Sequence, residues 1–125
     1  VSDFKIKNKK EKKIKKEDLI NLTLEKNVDI LHYVSNHNSL RPKLVIGFAA
    51  ETNDINDNAK KKLMEKNCDW VVANDVSNKF IGFESDFNEV TIFYKSQKIN
   101  DEKLMMKNKS KISDEIIDRV INQLN

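Results

Sequence analysis

Leu44-Val45-Ile46-Gly47-Phe48-Ala49-Ala50-Glu51-Thr52 is the stretch on which the fold turns. Residues 44–49 form a short, nearly continuous apolar run, the pattern of a buried parallel strand. Small and polar residues follow it. Ile55, Ala59, Leu63 and Met64 then fall at i, i+4, i+8 and i+9, a single apolar stripe of a helix, with Lys60, Lys61 and Glu65 pointing elsewhere. Asn67 can adopt the left-handed conformation that ends a helix, and residues 70–73, Trp-Val-Val-Ala, read as the next strand. Strand, helix and strand with a connection of about twenty residues predict a right-handed parallel βαβ unit, hence an α/β fold. In such sheets ligands sit at the carboxyl ends of the strands. Both strands end there in small or polar residues: Gly47-Phe48-Ala49-Ala50-Glu51-Thr52 after the first, Ala73-Asn74-Asp75-Val76-Ser77 after the second. Either run alone is also an ordinary polar loop. As a pair they predict a site, with Glu51, Thr52, Asn74, Asp75 and Ser77 as donors and acceptors.

Outward from this unit the signals thin. Upstream, Val1-Ser2-Asp3-Phe4 reads as the end of a strand, and Ile20, Leu22 and Leu24 alternate with polar residues as in a half-exposed strand. Residues 27–38 look helical, with Val28, Leu31, Tyr33 and Val34 on one side. Downstream, residues 90–94 form a strand. Ile112, Ile116, Ile117, Val120, Ile121 and Leu124 make a helical stripe, with Ser110 or Ser113 as N-cap.

At 125 residues the chain is one small domain or a piece of one. Its charged fraction of 34% and mean hydropathy of −0.66 fit a soluble protein with a modest core. No apolar run approaches the ~20 residues of a membrane helix, and the start lacks the apolar stretch of a secretory signal. Cys68 is the single cysteine, which excludes an internal disulfide and fits a reducing, cytoplasmic setting. Its place before a buried strand suits a structural thiol. The net charge of +3 is unevenly held. Residues 1–16 carry eight lysines against Asp3 and Glu11, and the other 109 residues carry 15 basic and 18 acidic side chains. Such a lysine-rich segment reads as a solvated, mobile loop that meets polyanions such as phosphates.

Several chemistries are excluded. Two glycines, Gly47 and Gly82, build neither a P-loop nor a dinucleotide fingerprint. His32 and His37 have no cysteine partners at zinc spacing, and no serine nucleophile elbow is present. Glu51 and Asp75 either meet at neighbouring strand ends or cap the local loops. In Lys13-Ile14-Lys15-Lys16 the isoleucine can anchor while lysines, as point charges on long stems, follow a triphosphate and its departing pyrophosphate. A nucleic-acid arm fits less well, because no aromatics interleave with the lysines and no groove-reading module is present.

Seven strings in order, from Val1-Ser2-Asp3-Phe4 and Lys13-Ile14-Lys15-Lys16 through Lys26-Asn27-Val28-Asp29-Ile30, Gly47-Phe48-Ala49-Ala50-Glu51-Thr52, Ala59 with Lys62-Leu63, Lys66 and Asp69, Ala73-Asn74-Asp75-Val76-Ser77, to Gly82-Phe83-Glu84-Ser85-Asp86-Phe87-Asn88, resemble the C-terminal part of phosphopantothenoylcysteine synthetase. In bacteria that enzyme is usually fused to a decarboxylase in a bifunctional coenzyme A biosynthesis flavoprotein. The resemblance implies a Rossmann-like, mostly parallel sheet flanked by helices, here an incomplete portion of the domain (residues 1–125). It also implies a ligase that activates 4′-phosphopantothenate with CTP and joins it to cysteine. Carried over by motif, Asp3 would serve the nucleotide and the Mg2+, with Phe4 beside it. Lys13 would be the catalytic lysine on a mobile flap, residues 5–16, closing over the acyl-cytidylate. Lys62 would contact the phosphates, Phe48, Ala49 and Ala50 would shape the pocket wall, and Asn74 and Asp75 would border it. FMN would belong to the fused decarboxylase only. The implied partners are the N-terminal half of the synthetase domain and a second copy, with no nucleic acid and no membrane. Three departures stand out: the family's Gly-Gly-Thr segment and its acyl-handling asparagine do not occur, Val28 stands where proline is usual, and Glu11-Lys12 replace small residues before the lysine run. Alone the chain is therefore expected to be inactive. A nonenzymatic nucleotide-binding module and a polyanion-binding adaptor are the alternative readings.

Overall fold

The computed structural model describes residues 2–8, 11–12, 15, 21–77 and 85–125. They divide into two compact units, residues 1–30 and 31–125. In the first, strand β1 (Phe4–Ile6) pairs antiparallel with β2 (Leu24–Lys26). Asn27 ties the ribbon's end, donating its N–H to the Asp3 carbonyl at 2.9 Å and its side-chain amide to the Ser2 carbonyl at 2.7 Å. Phe4, Ile6 and Leu24 share one face, while Lys5 pairs with Glu25 at 3.2 Å on the other. Phe4 thus begins a strand instead of ending one. The expected strand around Ile20–Leu24 moves to Leu24–Lys26, because the bonds to β1 set its register; Ile20 lies outside the described residues. Lys5 and Ile6, at the start of the expected flap, belong to β1.

The second unit holds α1 from Leu31 onward (the helix spans Ile30–Ser35), β3 (Ile46–Glu51), α2 (Ile55–Glu65), β4 (Trp70–Asp75), β5 (Phe87–Tyr94), β6 (Glu102–Asn108) and α3 (Lys109–Leu124). The sheet order is β3-β4-β5-β6. β3 and β4 run parallel, as the βαβ reading requires, with Ile46 opposite Trp70 and Glu51 opposite Asp75. The expected α/β sheet flanked by helices is present, and it is mixed: β5 joins β4, and β6 joins β5, antiparallel. Connection length explains the second change of direction, since a parallel return needs a crossover of roughly a dozen residues or more and only residues 95–101 join β5 to β6.

Alternation along β4 divides the core. Trp70 and Val72 pack with Val90, Ile92, Tyr94, Leu104 and α3 residues Ile112 and Ile116. Val71 and Ala73 pack with Ala49, Phe93, Cys68 and α2 residues Ala59 and Leu63 on the opposite face. Trp70 meets Tyr94 edge-to-face at 5.2 Å, the favoured aromatic geometry. Cys68 is fully buried, in keeping with a structural thiol. Gly47 lets α1 approach the sheet: a Cβ there would lie 2.8 Å from a Leu31 methyl and 3.3 Å from the Cys68 sulfur.

Several local expectations shift. β3 is half exposed, with Phe48 at 66%, because it is an outer strand of the described sheet and one face of its far end is uncovered. Met64 is exposed while Ile55, Ala59 and Leu63 face inward, since i+9 falls off the stripe. The helix expected over 27–38 shortens to Ile30–Ser35, leaving Val28 outside. Of the α3 stripe, Ile112 and Ile116 are buried and Val120 is partly so, whereas Ile117, Ile121 and Leu124 are about half exposed. The α3 cap is Asn108, which accepts from the Ser110 N–H at 2.9 Å, not Ser110 or Ser113. β6 runs directly into α3, so the last strand residue has to cap. Asn67, with φ 57°, does end α2 in the left-handed conformation. Among the described residues no helix is long and apolar enough to cross a membrane.

Candidate functional site

The carboxyl ends of β3 and β4 lie side by side, and their residues point alternately to the two faces of the sheet. On the α3 face, Phe48, Ala50 and Asn74 line a cleft of about 370 Å³. Asn88 on β5 and Lys109 and Ser113 on α3 complete its polar lining, over walls from Val72, Val90, Ile112 and Ile116. Asn74 Oδ1 is buried there and has no hydrogen-bond partner among the described residues. Ser113 Oγ donates its proton to the Ser110 carbonyl at 2.7 Å.

The α2 face carries a larger, polar cavity of about 650 Å³, lined by Thr52, Asp54, Asp75, Glu89 and Lys103 among others. Several carboxylates on this face are matched locally. Asp75 accepts from the Ser77 hydroxyl at 2.5 Å and the Ser77 N–H at 2.9 Å, and these bonds hold its carboxyl below the usual range. Glu89 pairs with Lys103 at 2.7 Å. Glu51 accepts from the Asn58 amide at 3.1 Å, which ties the loop to α2. The neighbouring acids Glu51 and Asp75 therefore each have their own partner, the capping alternative read from the sequence.

Lys62 reaches from α2 to the β3 edge, where its ammonium donates to the Phe48 carbonyl at 2.7 Å. Phe48, Ala49, Ala50 and Asn74 thus gather at one cleft, with Lys62 at the rim of β3 and Asp75 on the other face. Asp3 and Phe4 belong to the β1–β2 unit. Lys13 lies outside the described residues. The sequence does not single out Asn88, Lys109 or Ser113 as lining residues (Asn88 closes the last motif string and Ser113 reads as an N-cap), although Lys109, Ile112, Ser113 and Ile116 repeat at i, i+3, i+4 and i+7, one helix face. Among the described residues no group of three or more His, Cys, Asp or Glu could hold a metal.

A family model described as the DNA/pantothenate metabolism flavoprotein C-terminal domain matches residues 1–124. The chain belongs to this family. Among its curated relatives, the coenzyme A biosynthesis bifunctional protein CoaBC of Haemophilus influenzae is 38% identical over 97% of this chain. The protein of the same name from Bacillus subtilis is 45% identical over 76% of it. The chain spans 29% and 23% of the lengths of these two relatives. A crystal structure of the C-terminal domain of CoaBC superposes with a TM-score of 0.65 and 33% identity, covering 82% of this chain and 45% of that one. The DNA/pantothenate metabolism flavoprotein from Streptococcus pneumoniae, at 19% identity and a TM-score of 0.61, shares the fold. Membership in this family bears out the resemblance read from the sequence strings.

Proposed function

We propose that this chain acts in coenzyme A biosynthesis as the nucleotide side of a cytoplasmic, CTP-dependent ligase that joins 4′-phosphopantothenate to cysteine. The observation that carries this reading is the convergence of both motif ends, Phe48-Ala49-Ala50 and Asn74, on one cleft, with the Lys62 ammonium on the Phe48 carbonyl at the edge of β3. The relatives named for coenzyme A biosynthesis support the pathway.

In the reaction, the substrate carboxylate attacks the α-phosphorus of CTP, forming an acyl-cytidylate and releasing pyrophosphate. The cysteine amine then attacks the acyl carbon, and CMP leaves. The chain's task is positioning and charge neutralisation. Lys62 exchanges the Phe48 carbonyl for a phosphate oxygen, and Lys13 covers the acyl-cytidylate. Mg2+ supplies further neutralisation when it arrives with the triphosphate, where one protein carboxylate suffices. Asp3 would be that carboxylate. The N-terminal half of the synthetase domain and a second copy complete the enzyme, and FMN serves only a fused decarboxylase.

The test is pyrophosphate release by the complete protein supplied with CTP, 4′-phosphopantothenate and cysteine. Release that requires CTP and 4′-phosphopantothenate, with amide formation requiring cysteine, is the expected result. CTP binding without turnover would favour a nonenzymatic nucleotide module. The local excess of lysine in residues 1–16 motivates one more arm: affinity for generic DNA falling steeply with salt would favour a polyanion-binding adaptor.

A further inference from the structure

Among the described residues two side-chain hydrogen bonds join α2 to β3, and they lie one helical turn apart. Asn58 donates from its amide to Glu51 Oε2 at 3.1 Å, and Lys62 donates from its ammonium to the Phe48 carbonyl at 2.7 Å. Residues i and i+4 share a helix face, so both bonds fasten one face of α2 to one strand. Ala59 and Leu63, buried beside them, fix how close the helix sits to the sheet. Apolar packing is non-directional, so the position of α2 along β3 falls to the polar pair. Asp54, just before α2, has φ 47° and supplies no side-chain cap. Asn58 does that work from inside the helix, giving its other amide proton to the Asn53 carbonyl at 3.1 Å. One half-buried side chain thus holds the strand end, the loop and the helix together.

The two bonds have different fates when a nucleotide binds. In the ligase reading Lys62 gives up the Phe48 carbonyl for a phosphate oxygen. The Asn58–Glu51 bond is then the side-chain hydrogen bond that remains between the described residues of α2 and β3. We propose that Asn58 and Glu51 are positioning residues, whose bond keeps α2 seated on β3 so that the Lys62 ammonium stays aimed at the phosphates once it has left the strand. The inference rests on the ligase reading and deepens it. Neither residue is asked to touch the nucleotide; both act through Lys62. A lysine side chain has much rotamer freedom to lose when it is fixed, so its base has to be held by something else. Misplacing a binding group by about 1 Å can cost about a hundredfold, which makes loss of this one bond readable.

The experiment is a double-mutant cycle on CTP affinity, measured calorimetrically on the complete protein as wild type, Asn58→Leu, Lys62→Gln and the double variant. Asn58→Leu is expected to weaken CTP about tenfold in the wild-type background, and by less than about twofold where Lys62 is already glutamine. Glu51→Ala should reproduce that pattern, and it carries the cycle if Asn58→Leu fails to fold. Glu51→Gln, whose side-chain oxygen still accepts from Asn58, should stay within about threefold of wild type. Equal losses in both backgrounds would make the pair merely structural and overturn the proposal. Wild-type affinity in both Asn58→Leu and Glu51→Ala would overturn it too, as would failure of both to fold. If Lys62→Gln binds CTP as tightly as wild type, the pair has nothing to position and the proposal falls. Pyrophosphate release by wild type would in each of these cases leave the ligase reading standing. Conversely, the expected cycle in a protein that releases no pyrophosphate would remove the ligase reading alone. A wild type that binds no CTP would remove both.

Discussion

At the Trp70 end of the parallel strand pair, polar groups are tied together. Asp69 Oδ2 accepts from the Val45 N–H at 2.7 Å and from Arg41 at 2.9 Å. Arg41 also donates to the carbonyls of Ser35 at 2.8 Å and Asn67 at 3.2 Å, while Ser35 Oγ bonds the Leu31 carbonyl at 2.5 Å and the Lys66 carbonyl. This clasp joins α1, the start of β3 and the end of α2. Toward the other end of β4, Asn74 leaves an amide oxygen unmatched among the described residues. One strand thus has an end whose polar groups are tied together and an end with an unmatched acceptor. The difference teaches where substitutions should hurt folding and where they should hurt only function.

The largest effect belongs to the clasp. Asp69→Ala strands the Val45 N–H and the Arg41 guanidinium together. With side chains 30% and 27% exposed, solvent softens the loss, and urea denaturation should show destabilisation of about 2 kcal/mol. An unchanged midpoint would dissolve the contrast between the two ends. Tyr94, whose hydroxyl donates to Glu102 at 3.0 Å, comes next. Tyr94→Phe should cost about 1 kcal/mol at neutral pH. Burial, aided by Glu102, pushes the phenol up to about 12 from 10.0. A folded-state pKa raised in this way gives stability that is complete below pH 10 and is lost as pH rises through about 12. Stability measured across that window should fall in wild type and fall less in Tyr94→Phe.

At the other end the sign reverses. Asn74→Leu removes an unmatched buried oxygen, so it should leave stability unchanged or raise it by up to ~1 kcal/mol, even as ligand affinity drops. A loss comparable to that of Asp69→Ala would show that Asn74 is a structural residue. The smallest expected stability change is for Lys13→Gln. In a charge-rich segment it should move stability by no more than ~0.5 kcal/mol, yet lower amide formation in the complete enzyme at least about tenfold. Normal turnover would remove Lys13 from the mechanism.

The β3–α2–β4 core was legible because its signals are local: an apolar run, a helical stripe, and Asn67 as terminator. The rest depended on what neighbours supply. Phe48 sits in an apolar run but is exposed, since burial at that position depends on what lies beside an outer strand. β6 was not foreseen, because Leu104-Met105-Met106 between lysines shows no clean alternation; a register shift lies opposite it, between Asn88 and Val90. The α3 cap followed from β6 and was missed with it. At the candidate cleft, Phe48, Ala50, Asn74 and Asn88 all come from the motif strings, but the fold alone brings Lys109 and Ser113 across from them. Sequence separation hides such a wall, although one helix face already carried its spacing.

Lys62 has a consequence for how the protein behaves in concentrated solution. Among the described strands β3 is an outer one, and outer strands offer bare backbone groups on which another chain can pair. The ammonium seated on the Phe48 carbonyl occupies one of those groups and sets a positive charge along the rim. A neighbouring molecule attempting to add a strand there must first displace it. Wherever β3 remains unpaired, this lysine therefore acts as a gatekeeper against strand addition, and neutralising it should make the 125-residue chain more prone to precipitate before any defect in folding is visible.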